Sequence, residues 1–247
     1  MKKITKFTPI LAVLFLISCG TPEPLFKFEN YNYDNNNDKR PLTVEYSFVT
    51  ISNASKSKAL TAIEESLRYE FFEIDGNLPS TLERTFDKGV AQFRAESGYD
   101  DTNQPIGCEL KVSSEAKVYG NTLSYTIEGY KFSGGAHGLS WHTGLNYDIE
   151  SGELLSLHDF LSDEQTEALP AILREHLCAD KGIYNEDPFE ALTRLGYYPN
   201  EILPTENFRL TNDGIEFLYN PYEIGVYAVG MTAIKIPYEI LDKITVE

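Results

Sequence analysis

The chain has 247 residues and a formal net charge of −17, from 38 acidic and 21 basic side chains. So acidic a composition excludes nucleic acid as a partner, because phosphate binding needs a basic footprint. With 42% hydrophobic and 13% aromatic residues the chain can still build a sizeable core, in one domain or two closely packed halves.

A basic start (Lys2, Lys3, Lys6) precedes an apolar run from Pro9 to Ile17. That run is too short to cross a bilayer core of about 30 Å as a helix. Leu16-Ile17-Ser18-Cys19-Gly20 then reads as a lipoprotein cleavage site. Residues 1–18 are expected to be a signal peptide, with Cys19 becoming the acylated first residue. Cleavage removes three lysines and no acid, deepening the charge from −17 to −20. The expected address is the bacterial cell envelope, lipid-anchored to the outer membrane, with the domain facing the periplasm or the exterior. Such a charge repels anionic head groups and speeds encounter with cationic partners, so membrane contact is expected through the lipid alone.

Residues 19–41 include Asn30-Tyr31-Asn32-Tyr33-Asp34-Asn35-Asn36-Asn37-Asp38, without helical or strand period, and read as a flexible tether. Leu42, Val44, Tyr46 and Phe48 alternate as in a half-buried strand. Leu60, Ile63, Leu67 and Phe71 recur at helical spacing and predict a helix over 56–72. Gly76-Asn77-Leu78-Pro79 breaks it, and Ser80 with Glu83 suggests a capping box opening a second helix. Two strands follow, joined by a Gly120-Asn121 turn, with Ser114 interrupting the apolar face of the first.

The second of these strands runs into Tyr130-Lys131-Phe132-Ser133-Gly134-Gly135-Ala136-His137-Gly138, the densest glycine cluster in the chain. Glycines there allow positive φ and close approach, which suits either a plain strand connection or a recognition loop. Leu139 to Ile149 alternates again, and a turn at 148–153 leads on to Leu154–Leu157. Ser162 and Gln165 form a capping box for a helix carrying Leu169, Leu173 and Leu177, which Pro170 should kink or split. A short helix is expected near 189–195, a hairpin around Asn212-Asp213-Gly214, a last strand over 230–236 and a short helix after Pro237. Strands in hairpins with helices inserted between strand groups indicate an α+β fold, an antiparallel sheet with helices packed on it.

Chemistry is sparse. His137 and His142 lie close in sequence, but a metal needs three or four converging ligands, so neither metal nor cofactor is expected. No nucleophile elbow or zinc-protease helix is present. In an oxidising compartment Cys108 and Cys178 either join as a disulfide or stay as buried thiols. Tyrosines crowd the second half, notably in the glycine-spaced loop Tyr219–Gly230, where they either pack at sheet edges or supply contact area for a partner.

Phe132–Gly138, Tyr147–Gly152 and Leu157–Phe160 continue with Phe208, Asn212–Gly214, Asn220–Gly225 and Ala233–Tyr238. Together they resemble the extracytoplasmic C-terminal domain of RsiV-like anti-sigma factors, a domain of unknown function also found with PdaC-type peptidoglycan deacetylases. The resemblance covers about 130–242, within a C-terminal domain set at 130–247. Residues 42–129 look like the companion module that often precedes it. No transmembrane helix, sigma-binding segment or deacetylase domain accompanies it, so the expectation is a stand-alone lipoprotein.

The resemblance implies non-catalytic binding of lysozyme, of another cationic envelope protein, or of peptidoglycan. The recognition surface would draw on Gly134, Gly135, His137, Trp141, Tyr222 and Tyr227, with His137 orienting its loop through a backbone hydrogen bond. The rival expectation is an enzyme acting on cell-wall glycan through His137 and nearby carboxylates.

Overall fold

The computed structural model describes residues 21–35, 41–99 and 107–244. The expected signal peptide and Cys19 lie outside the described residues. The alternation at Leu42–Phe48 becomes strand β2 (Leu42–Ile51), which pairs antiparallel with β1 (Phe26–Asn35) along its whole length. Residues 26–35 are therefore a strand and not tether, a correction with a clear cause. Tyr31 stacks on Phe86 at 5.0 Å, and Tyr31 and Tyr33 pack on the core, so alternate aromatics supply the burial that the asparagines hid. Asn53 ties down the approach to β1 by accepting from Leu25 N at 2.8 Å and donating to the Glu23 carbonyl at 2.9 Å.

Helices α1 (Lys58–Phe71) and α2 (Leu82–Glu96) cross from β2 to β3 (Cys108–Tyr119), and β2 and β3 pair parallel. The cap of α2 is Thr81, whose hydroxyl accepts from Arg84 N, one residue beyond the expected Ser80. Strands β4 (Thr122–Phe132) and β5 (Leu139–Asp148) complete a sheet of order β1-β2-β3-β4-β5. The two helices seal one face through Leu60, Ile63, Leu67, Phe71, Val90 and Phe93. Ser114, the interruption in β3, is a buried polar junction just past the point where the β2–β3 pairing ends. Its Oγ accepts from Val49 N at 2.9 Å and shares a 2.7 Å hydrogen bond with the Tyr125 hydroxyl, which also reaches the Val49 carbonyl at 2.8 Å. A valine there would leave the Val49 amide buried without a partner.

A second core belongs to α3 (Asp163–Asp180), α4 (Pro188–Arg194), the meander β6 (Phe208–Leu210), β7 (Gly214–Tyr219) and β8 (Thr232–Pro237), and α5 (Tyr238–Leu241). The Ser162–Gln165 capping box is formed, and α3 runs through Pro170 with Leu169, Leu173 and Leu177 sealed in the core on both sides of it. The architecture is thus α+β, with five α-helices on two mostly antiparallel sheets among the described residues. The expected boundary at 129/130 falls inside β4: the first core runs to Ile149 and the second begins at Leu157. Cys108 lies in the first core and Cys178 in the second, and no disulfide joins them.

The two halves meet along the outer edge of β5. Gly144 lies so close to β6 that an added Cβ would stand 2.1 Å from the Phe208 carbonyl oxygen. Replacing Gly144 by alanine is expected to force the sheets apart and lower stability by about 3 kcal/mol, read from urea unfolding.

Candidate functional site

The outer edge of β5 presents unpaired backbone groups, and two asparagines from the second half satisfy them. Asn207 Nδ2 donates to the His142 carbonyl at 3.0 Å, and its Oδ1 accepts from Gly144 N at 2.7 Å. One side-chain amide thus imitates a neighbouring strand. Asn220 Oδ1 accepts from His142 N at 2.8 Å, and Asn146 Nδ2 donates to the Phe208 carbonyl at 2.9 Å. His142 is buried in this seam, with Nε2 3.1 Å from the Tyr219 carbonyl. A carbonyl can only accept, so Nε2 carries the proton. Burial lowers the His142 pKa below 6.5; the Tyr219 hydrogen bond opposes the shift, as does Glu128, while Arg209 adds to it and Glu223 opposes it.

Because Asn220 opens the second tyrosine loop, the seam carries that loop to the glycine cluster. The Tyr227 hydroxyl donates to the Gly138 carbonyl at 2.7 Å. His137 Nδ1 reaches the same oxygen at 3.1 Å, the backbone contact expected of it. The His137 and Tyr227 rings stack with centroids 3.8 Å apart, and Tyr222 lies 5.5 Å beyond Tyr227. Two stretches some 90 positions apart therefore meet on one exposed face. Gly134 and Gly135 turn at φ of 104° and 98°, a region an L side chain rarely adopts. Tyr222 takes φ of 76° without being glycine and stays 57% exposed, so a strained backbone holds a large ring in solvent.

Sequence reasoning missed the third contributor. Segment 195–203 pairs with the tyrosine loop through Tyr198 N to the Ile224 carbonyl at 2.8 Å and Val226 N to the Gly196 carbonyl at 2.9 Å. It adds exposed Leu195 and Tyr198 beside Val226. Its glycine and prolines, Gly196, Pro199 and Pro204 just after, carry no periodic signal in the sequence. Trp141 does not join this face. It lies across its strand partner Gly129, where a Cβ would stand 2.1 Å from the indole, and it lines a cleft against α1. His142, its neighbour, points the other way into the seam. Among the described residues no cluster of three potential metal ligands occurs, and no helix is long and apolar enough to cross a membrane.

Residues 158–239 match the profile of DUF3298, a protein family of unknown function, and this stretch coincides with the second core and its helices. A crystal structure of a DUF3298 family member from Bacteroides fragilis is 28% identical, with a TM-score of 0.71 over 92% of this chain and 96% of that one. A DUF3298 family protein from Pseudomonas aeruginosa shares the fold, with 19% identity and a TM-score of 0.64 over 91% of this chain and 95% of that one. In sequence the chain is similar to the peptidoglycan-N-acetylmuramic acid deacetylase PdaC of Bacillus subtilis, 24% identical over 253 aligned residues. The alignment takes in all of this chain and 51% of that enzyme, so the chain spans about half the length of this curated relative.

The lowered pKa of His142 gives a signed expectation. Well above pH 6.5 the residue is neutral folded or unfolded and adds no pH dependence. As pH falls below 6.5 the unfolded chain takes up the proton first, and stability is lost until the folded pKa is passed. A His142→Gln variant should show a flatter melting temperature between about pH 5 and 7 than the parent chain, measured by calorimetry.

Proposed function

We propose that this chain is a non-catalytic binding module of the cell envelope, lipid-anchored through Cys19, whose three-loop face docks a cationic protein. One observation carries the reading: His137, Tyr227 and Tyr222 form a ring stack on an exposed face, clamped at the Gly138 carbonyl. Rigid aromatic area with polar tips is the surface that dominates protein docking. Its preorganisation by the clamp reduces the ordering cost of association. The partner's sign follows from the net charge, −17 for the full chain and −20 without residues 1–18, which speeds encounter with a basic protein. The RsiV-like resemblance supplies lysozyme, a cationic muramidase, as the probe, and the likeness to a peptidoglycan deacetylase supports an address at the cell wall. Catalysis at His137 is the less favoured reading, since its contacts are a carbonyl oxygen and a tyrosine ring, whereas a general base needs an orienting partner.

Titration calorimetry with lysozyme at low and physiological salt tests this. Binding is expected at both, weaker at the higher salt, and absence at both refutes lysozyme as the partner. Tyr222→Gly separates stability from binding. Removing a side chain held at φ of 76° relieves about 1 kcal/mol of backbone strain. The variant should melt no lower than the parent, yet bind at least about tenfold more weakly.

A further inference from the structure

Helix α1 has two working stripes. Leu60, Ile63, Leu67 and Phe71 are sealed in the first core. Beside them Ala62, Glu65, Ser66, Tyr69 and Glu70 recur three and four apart and, with Glu73 just past the helix, face a cleft of about 780 Å³. The opposite wall is the helix-side face of β5, with Trp141 and Thr143. β5 is the last strand of its sheet, and the two helices leave this part of its face uncovered.

The lining combines two flat rings, Trp141 and Tyr69, with the carboxylates of Glu65, Glu70, Glu73 and Asp75. Among the described residues no salt bridge neutralises any of the four. Glu73 is held with φ of 48°, a costly backbone for glutamate, and its carbonyl accepts from Gln92 Nε2 at 2.9 Å. Burial raises its pKa, Lys131 opposes the shift, and Glu96 and Glu70 add to it.

We propose that the α1–β5 cleft binds a linear oligosaccharide bearing free amino groups, with sugar rings laid on Trp141 and ammonium groups set among Glu65, Glu70, Glu73 and Asp75. Aromatic faces match the apolar faces of pyranose rings, and carboxylates accept from sugar hydroxyls as well as from ammonium groups. The unneutralised carboxylates repel anionic glycans and favour amino sugars over their acetylated forms. A basic peptide fits less well, because its extended side chains offer no flat apolar face to match Trp141 and Tyr69.

Trp141 is the one tryptophan of the chain, so its emission reports on the cleft. The full chain is titrated with a glucosamine tetrasaccharide, the N-acetylglucosamine tetrasaccharide and tetralysine, by fluorescence and calorimetry. The amino sugar should give a saturable change in emission and bind at least about tenfold more tightly than either competitor. A Glu65→Gln, Glu70→Gln double variant, altered only at exposed positions of α1, should lose most of that preference. Tyr222→Gly should keep it, which separates this site from the docking face. Equal binding of tetralysine, no saturable binding, or binding that leaves Trp141 emission unchanged overturns the proposal.

Discussion

The side-chain amide of Asn207, laid along the outer edge of β5, is the contact on which the rest of the molecule depends. An exposed strand edge invites pairing with another chain. Here the second half of the same chain occupies it, with side chains in place of a strand. Gly144 allows the approach because any larger residue would meet the Phe208 backbone. Each amide left unpaired in so buried a seam would cost about 1–3 kcal/mol, so the two halves are held in one register.

That register decides where the loops go. Asn220 both satisfies His142 N and begins the tyrosine loop, so fixing the seam also fixes the path of Tyr222 and Tyr227. The Gly138 carbonyl then takes two donors, one from each loop, and the rings close over it. The face is preorganised by contacts that lie behind it.

The cleft arises from the same sheet in a different way. A glycine at 129 lets the Trp141 indole lie flat across β4, and the ring forms the wall of the cleft opposite α1. Trp141 and His142 are adjacent in sequence, yet the pleat sends one to the cleft and the other to the seam. A single strand thereby serves both the docking face and the cleft.

Much of this was legible in the residues alone. Period-two alternation in β2, β4 and β5, helical spacing in α1, the capping box of α3 and the Gly-Asn and Asp-Gly turns are local signals, set by neighbours a few positions apart. The glycine cluster and the tyrosine loop also stood out as chemistry-bearing segments. What local signals do not carry is partnership across distance. The strand at 26–35 was hidden because its aromatics acquire meaning only against Phe86 and the core. The boundary between halves shifted from 129/130 to the stretch between Ile149 and Leu157, because β4 and β5 are shared with the first sheet. Cys108 and Cys178 were separated by the division of the core, and Trp141 was assigned to the cleft by the pleat of β5. Composition and periodicity determined the class of fold and its acidic surface. Only tertiary structure decided which loops meet, because hydrogen bonds between residues more than sixty positions apart set that geometry.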